Sequence, residues 1–201
     1  MRKYVLFVLC FVGLVGLVNC SRAVPDAGTE AVLIKKPMFF GHGGVVPEPV
    51  TTGSEWCVFT TDICYIPMTP FQARECFDDL ITDDNNPVDF DVYIELQVEK
   101  GRSPYLLDKF QTKWYENNIS PTVRKLVRDK ASQYKTFDLA GNREVLASIE
   151  SHVEEGVRAL IVEKGIPVTC NRVVMGKVTP PTAVMEETNK TAAQIQAKRT
   201  Q

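Results

Sequence analysis

The chain has 201 residues, 44% hydrophobic and 24% charged, enough for one sizeable core plus a targeting segment but not for two full cores. Its 23 basic and 25 acidic residues give a formal charge of −2, which becomes −4 (21 against 25) once Arg2 and Lys3 are set aside. Nucleic-acid binders normally carry a basic excess, so that partner class is excluded.

Arg2 and Lys3 open a positive N-terminus, followed by an unbroken apolar or glycine run from Tyr4 to Val18. That run is shorter than the about 20 apolar residues of a full membrane span and fits a signal peptide over residues 1–19. Leu17-Val18-Asn19-Cys20 resembles the lipobox of bacterial lipoproteins, with Cys20 as the lipidated residue, although Asn19 is larger than the usual small residue there. An uncleaved anchor extending through Ala23 and Val24 is one alternative, and simple secretion is another. In each case the charged end stays inside and the rest is exported. The expected location is therefore the periplasmic or extracellular side of a membrane, with lipid as a partner.

An exported chain can oxidise its thiols. Four follow Cys20, namely Cys57, Cys64, Cys76 and Cys170, and they leave three full pairings open. Cys57 with Cys64 across a β-turn is the candidate disulfide, against buried free thiols.

Residues 24–53 are rich in Gly and Pro, with Ala31-Val32-Leu33-Ile34 as a short β-like piece. Pro25, Pro37, Pro47 and Pro49 predict edge strands and turns. β structure continues from Glu55 to Pro67. From Val88 to Glu99, apolar and polar residues alternate without a break, the signature of a strand with one buried face. Asp83-Asp84-Asn85-Asn86-Pro87 is turn chemistry joining it to a strand near Cys76–Thr82 as a hairpin. Ser103-Pro104 predicts a capped helix to about Asn117, and Ser120-Pro121 opens a second with Val123, Leu126, Val127, Ala131 and Tyr134 on one face. A third starts near Asn142 and ends at Gly165-Ile166-Pro167. Val168–Val178 reads as a strand, and Thr179-Pro180-Pro181 opens a last helix to Gln201.

No catalytic or metal-binding pattern emerges, and nothing calls for a cofactor. His42 and His152 are the only histidines, and no nucleophile motif surrounds any Cys. Cys57, Cys64 and Cys76 lack a C-x-x-C pair, and the acidic run from Asp78 to Glu95 lacks the Gly and terminal Glu of a calcium loop. That run contrasts with Lys100–Arg143, which holds ten basic residues against four acids. Opposite charges on one small domain suit head-to-tail contact between copies, through Asp83 and Asp84 on one side and Arg124, Lys125 and Arg128 on the other. Two solvated faces, or contact of the basic layer with anionic lipid, are the alternatives.

The order of elements resembles the SPFH, or Band 7, family of stomatin, prohibitin and flotillin. Four stretches carry the likeness: Val24–Gly28 with Val32–Pro37; Leu80–Val98, including Thr82-Asp83-Asp84; Val123–Arg128 with Tyr134; and Gly165–Val168 with Val178–Pro181. The resemblance implies an α+β domain over residues 24–179, a mostly antiparallel sheet with helices packed on it, followed by the start of a C-terminal helix over 180–201. It further implies a non-enzymatic membrane scaffold that forms homo-oligomers and organises membrane patches, proteases or other membrane proteins. About twenty residues of last helix remain before Gln201, roughly 30 Å. Their seam of Val184, Thr188, Thr191 and Ile195 is weakly apolar, so charge is expected to matter more than this helix for self-association. The runner-up is a monomeric module that captures a soluble partner between sheet and helices.

Overall fold

A computed structural model describes residues 21–37, 41–57, 60–182 and 185–186. The chain divides into two compact units that interleave in sequence. The first takes residues up to Pro70 together with Val98–Trp114, and the second takes Phe71–Gln97 and Tyr115 onward.

In the first unit, β1 (Ser21–Ala23) pairs antiparallel with β4 (Glu55–Cys57), placing Arg22 opposite Trp56. A separate sheet sets β2 (Thr29–Lys35) between β3 (Gly44–Val45) and β5 (Thr61–Pro67), again antiparallel. The prolines predicted edge strands here, but β2 is central. Pro25 and Pro37 fall outside it, so its ladder keeps every N–H it needs. Ala31 and Leu33 pack with Ala23 and Cys57 in the unit's core.

Glu30, on the alternate face of β2, is buried. Its Oε1 accepts the Gly101 N–H at 2.7 Å, and its Oε2 accepts the Ser103 hydroxyl. Those donors sit at the start of α1 (Ser103–Phe110), where a negative charge also complements the helix dipole. Ser103, read from sequence as a cap, instead spends its hydroxyl on Glu30, and the N-cap position belongs to Arg102.

The second unit is built on the sheet order β6 (Phe71–Ile81), β7 (Pro87–Val98), β8 (Val168–Met175). The predicted alternation holds along β7: Val88, Phe90, Val92, Ile94, Leu96 and Val98 are all buried. β6 and β7 form the expected antiparallel hairpin, with a bulge between Phe77 and Leu80. There Asp79 takes φ 55° and donates its N–H to Asp89 Oδ1 at 2.9 Å.

The helix expected to run from Ser103 to Asn117 is broken. It ends at Phe110, where Gln111 turns left-handed at φ 61°, and a π-helix over Tyr115–Ile119 then leads directly into α2 (Ser120–Ala131). A short α3 (Thr136–Gly141) follows, which periodicity did not reveal. α4 (Arg143–Lys164) matches expectation at both ends: the Asn142 side chain accepts the Glu144 N–H, and Gly165 closes the helix at φ 63°. Its Ile149, Val153, Val157 and Ile161 are buried.

Side chains of α4 also reach β8. Arg158 donates to the carbonyls of Cys170 and Asn171, and Glu150 accepts the Met175 N–H at 2.7 Å. An antiparallel bridge from Asp89 to Thr179 carries the chain out of the sheet. Of the last helix expected over 180–201, Pro180 and Pro181 are not helical and Thr182, Met185 and Glu186 are; its other residues, including Val184 and Ile195, lie outside the described residues, as do Cys20 and residues 1–19. Among the described residues no helix is long and apolar enough to cross a membrane.

Candidate interaction face

Two polar clusters shape one side of the second unit. The first is built on the hairpin turn. Asp84 Oδ1 accepts the hydroxyls of Thr82 and Thr136 and, at 3.2 Å, the Thr136 N–H, while Oδ2 accepts the Asn86 amide at 3.0 Å. Thr136 opens α3, so a carboxylate more than fifty positions earlier in the chain satisfies a free N–H of that helix start. The Asp83 N–H adds a bond to the Tyr134 carbonyl at 3.0 Å. Local desolvation on its own would raise the Asp84 pKa, but the bonds from Thr82, Thr136 and Asn86 outweigh it and hold the carboxyl at about 2.

The sign of the consequence follows from that depression. The contribution of Asp84 to stability is complete above its ordinary value of 3.8 and is lost as pH falls toward about 2. Thr136→Val removes one donor and keeps the backbone one. The Asp84 carboxyl should then titrate nearer 3.8 in a side-chain NMR titration, and acid unfolding should begin at higher pH. An unchanged Asp84 titration would mean that the Thr136 hydroxyl does not hold it.

The second cluster surrounds Glu75 on β6, which is buried. It accepts the Tyr115 hydroxyl at 2.9 Å and pairs with Arg124 Nε at 2.7 Å. Burial, reinforced by the bond to Glu75, pushes the Tyr115 phenol well above its ordinary range. The Arg124 guanidinium carbon lies 5.8 Å from the Phe77 ring centroid, and Phe77 stacks on Phe90 at 5.2 Å. Beside this cluster an open groove of about 630 Å³ runs along residues 76–81 of β6 and Thr82 just after it, and is walled by Arg124, Arg128, Asp129 and Ser132 of α2 and its end.

A family model described as SPFH domain / Band 7 family matches residues 27–201. The chain belongs to the SPFH family. No curated protein matches it.

Within this SPFH chain, the charges picked out by sequence divide into two groups. Asp84 and Arg124 are engaged inside the chain, whereas Asp83, Lys125 and Arg128 are exposed, with no ion pair among the described residues. The contact of α2 with β6 in a single copy includes the Glu75–Arg124 pair, and Glu75 lies just before the acidic run. Sequence reasoning missed Glu75 and Tyr115, because only the fold brings β6 and the π-helix together.

Cys57 and Cys64 stand in different sheets of the first unit, and both are free thiols, as are Cys76 and Cys170. Burial raises the Cys64 pKa. Burial, with Glu154 adding and Arg158 opposing, raises Cys170 to about 11. A hydrogen bond to Asp91, with desolvation, raises Cys76. Raised thiols stay protonated at neutral pH and are poor nucleophiles. His42 and His152 are both exposed, one in each unit. Among the described residues no group of three or more His, Cys, Asp or Glu is placed to hold a metal.

Proposed function

We propose that this SPFH chain is a non-enzymatic, membrane-attached scaffold, tethered on the exported side through lipidated Cys20, which self-associates and organises lipid or membrane proteins such as a protease. The family match over residues 27–201 carries the reading. The apolar run to Val18 and the Leu17–Cys20 sequence support the tether. Exposed Lys125 and Arg128 on α2, with Asp83 at the hairpin tip, support charge contacts between copies.

The open groove beside Glu75 favours a second reading, a monomeric module that takes a soluble partner. Two measurements separate these. Cys20→Ser removes the acyl acceptor, and at about 0.8 kcal/mol per buried CH₂ the variant should leave the membrane fraction. Full retention of Cys20→Ser at normal length would sink the lipid tether in favour of an uncleaved anchor. Light scattering of detergent-solubilised protein should show an oligomer whose mass falls at high salt and on reversal of Lys125 and Arg128 to Glu. Exposed pairs give about 0.2–1 kcal/mol each, so several must act together. A monomeric mass at low salt would select the second reading.

A further inference from the structure

β6 departs from strand alternation at one point. From Arg74 to Phe77 exposed and buried residues alternate, a rhythm that would put Asp78 outside and Asp79 inside. The bulge prevents this. Asp78 and Asp79 stand together opposite Asp89, both are exposed, and Leu80 takes the buried place. Asp79 holds the φ of 55° that the bulge requires, a backbone that residues other than glycine seldom adopt. Among the described residues neither carboxylate has an ion pair or hydrogen bond. A backbone outlier that aims two unpaired charges outward points to a use for them.

What Asp78 and Asp79 share is the groove beside α2. Every residue from Cys76 to Thr82 lines it, not every second one, so it runs along the margin of β6 rather than across one face. β6 is the outermost strand of its sheet, and such a margin offers unpaired N–H and C=O groups. Six steps of about 3.3 Å make the groove roughly 20 Å long, the span of a short extended segment. Its charges are unbalanced. Arg124 is taken by Glu75, which leaves the carboxylates of Asp78, Asp79 and Asp129 against the Arg128 guanidinium. Among the described residues these acids do not form a group placed to hold a metal ion. A small cation would also leave the strand margin and the half-exposed Ile81 side chain unused.

We propose that this groove takes an extended, lysine- or arginine-bearing peptide segment of a partner protein, lying along the β6 margin with its cations on Asp78 and Asp79 and an apolar side chain against Ile81. Residues two apart in an extended peptide share a face, so basic residues at alternate positions reach the acid pair together. The proposal rests on the groove taking a partner, as in the second reading above, but not on the chain being a monomer.

The test uses the full chain in detergent and a capped, fluorescein-labelled peptide, Thr-Lys-Val-Lys-Val-Thr, followed by fluorescence anisotropy. Anisotropy should rise to saturation with protein, and the peptide with glutamate in place of both lysines should not bind. Spermidine, which carries the charge without the extended chain, should not displace the lysine peptide at equal concentration. Asp78→Asn combined with Asp79→Asn should weaken the lysine peptide about tenfold, because two exposed charge contacts are lost. Asparagine tolerates the left-handed backbone, so the bulge should persist. Absence of binding, equal binding of the lysine and glutamate peptides, or displacement by spermidine each overturns the proposal on the unaltered protein, whether or not the variant folds. Full affinity in a folded double variant overturns it as well. Light scattering of the same samples reads the assembly separately. A monomer that ignores the peptide loses this ligand and keeps the second reading, and an oligomer that binds it keeps the ligand and overturns that reading.

Discussion

Replacing Phe90 by Ala should remove about 3–5 kcal/mol of stability, the usual cost of emptying a buried aromatic site. Phe90 lies on β7, the middle strand of its sheet, is 5% exposed, and stacks on Phe77 with the ring planes 18° apart. The void cannot be filled from β6 or β8, because a central strand is held in place from both sides. Against a typical total of about 5–15 kcal/mol, the loss should pull the urea midpoint down strongly. Gln72→Ser, at an exposed position on β6, should stay within about 0.5 kcal/mol. Equal midpoints for the two variants would show that the face of β7 bearing Phe90 is not the core of this unit.

The second large effect is expected at Gly156, in the middle of α4. A glycine there costs the helix about 1 kcal/mol relative to alanine, so something must require it. The requirement is α2. A Cβ built on Gly156 would stand 2.4 Å from Leu126 Cδ1 and 3.3 Å from its Cδ2. Alanine is a poor probe, because the gain in helix propensity offsets the displacement of a flexible leucine tip. Gly156→Val adds branched bulk that a small rotation of Leu126 cannot clear, and overpacking of this kind costs about 1–3 kcal/mol. Adding Leu126→Ala should restore part of the loss, since touching residues couple by about 0.5–3 kcal/mol. A double variant whose loss is the simple sum of the two would mean that the helices do not meet at this point.

Legibility in the sequence followed the range of the interactions. The strand over Val88–Glu99 and the helix from Asn142 to Gly165 could be read because their signals are local: a period of two, a stripe at i and i+4, a capping Asn, a left-handed Gly. The break at Gln111 could not. Gln carries no sign of a positive φ, and the apolar residues on either side kept a helical rhythm. The π-helix and α3 were hidden for the same reason, being short pieces fixed by their surroundings.

The same holds for the candidate site. Asp84 looked like one more solvated acid in an acidic turn, and only the return of Thr136 to it turns the residue into a fastening point. The Thr82-x-Asp84 pattern was visible as a family likeness, but its use was not. Glu75 gave no signal at all, because its partners Tyr115 and Arg124 lie forty or more residues further along the chain. Charge counting sets Arg124 among the residues suited to contact between copies, or to a solvated face; within the chain it pairs with Glu75.

The grip of α4 on β8 bears on how sheets of this kind could join. An outermost strand is ordinarily a template, offering its backbone to any extended segment that approaches. On β8, the Cys170 and Asn171 carbonyls and the Met175 N–H are already held by Arg158 and Glu150, and an incoming strand would have to displace charged donors and acceptors to gain its first bonds. Within this sheet, lateral pairing is left with the β6 side. Two copies meeting there about a two-fold axis would use up that margin in each, so the three-stranded sheet would close on itself as a pair rather than grow strand by strand.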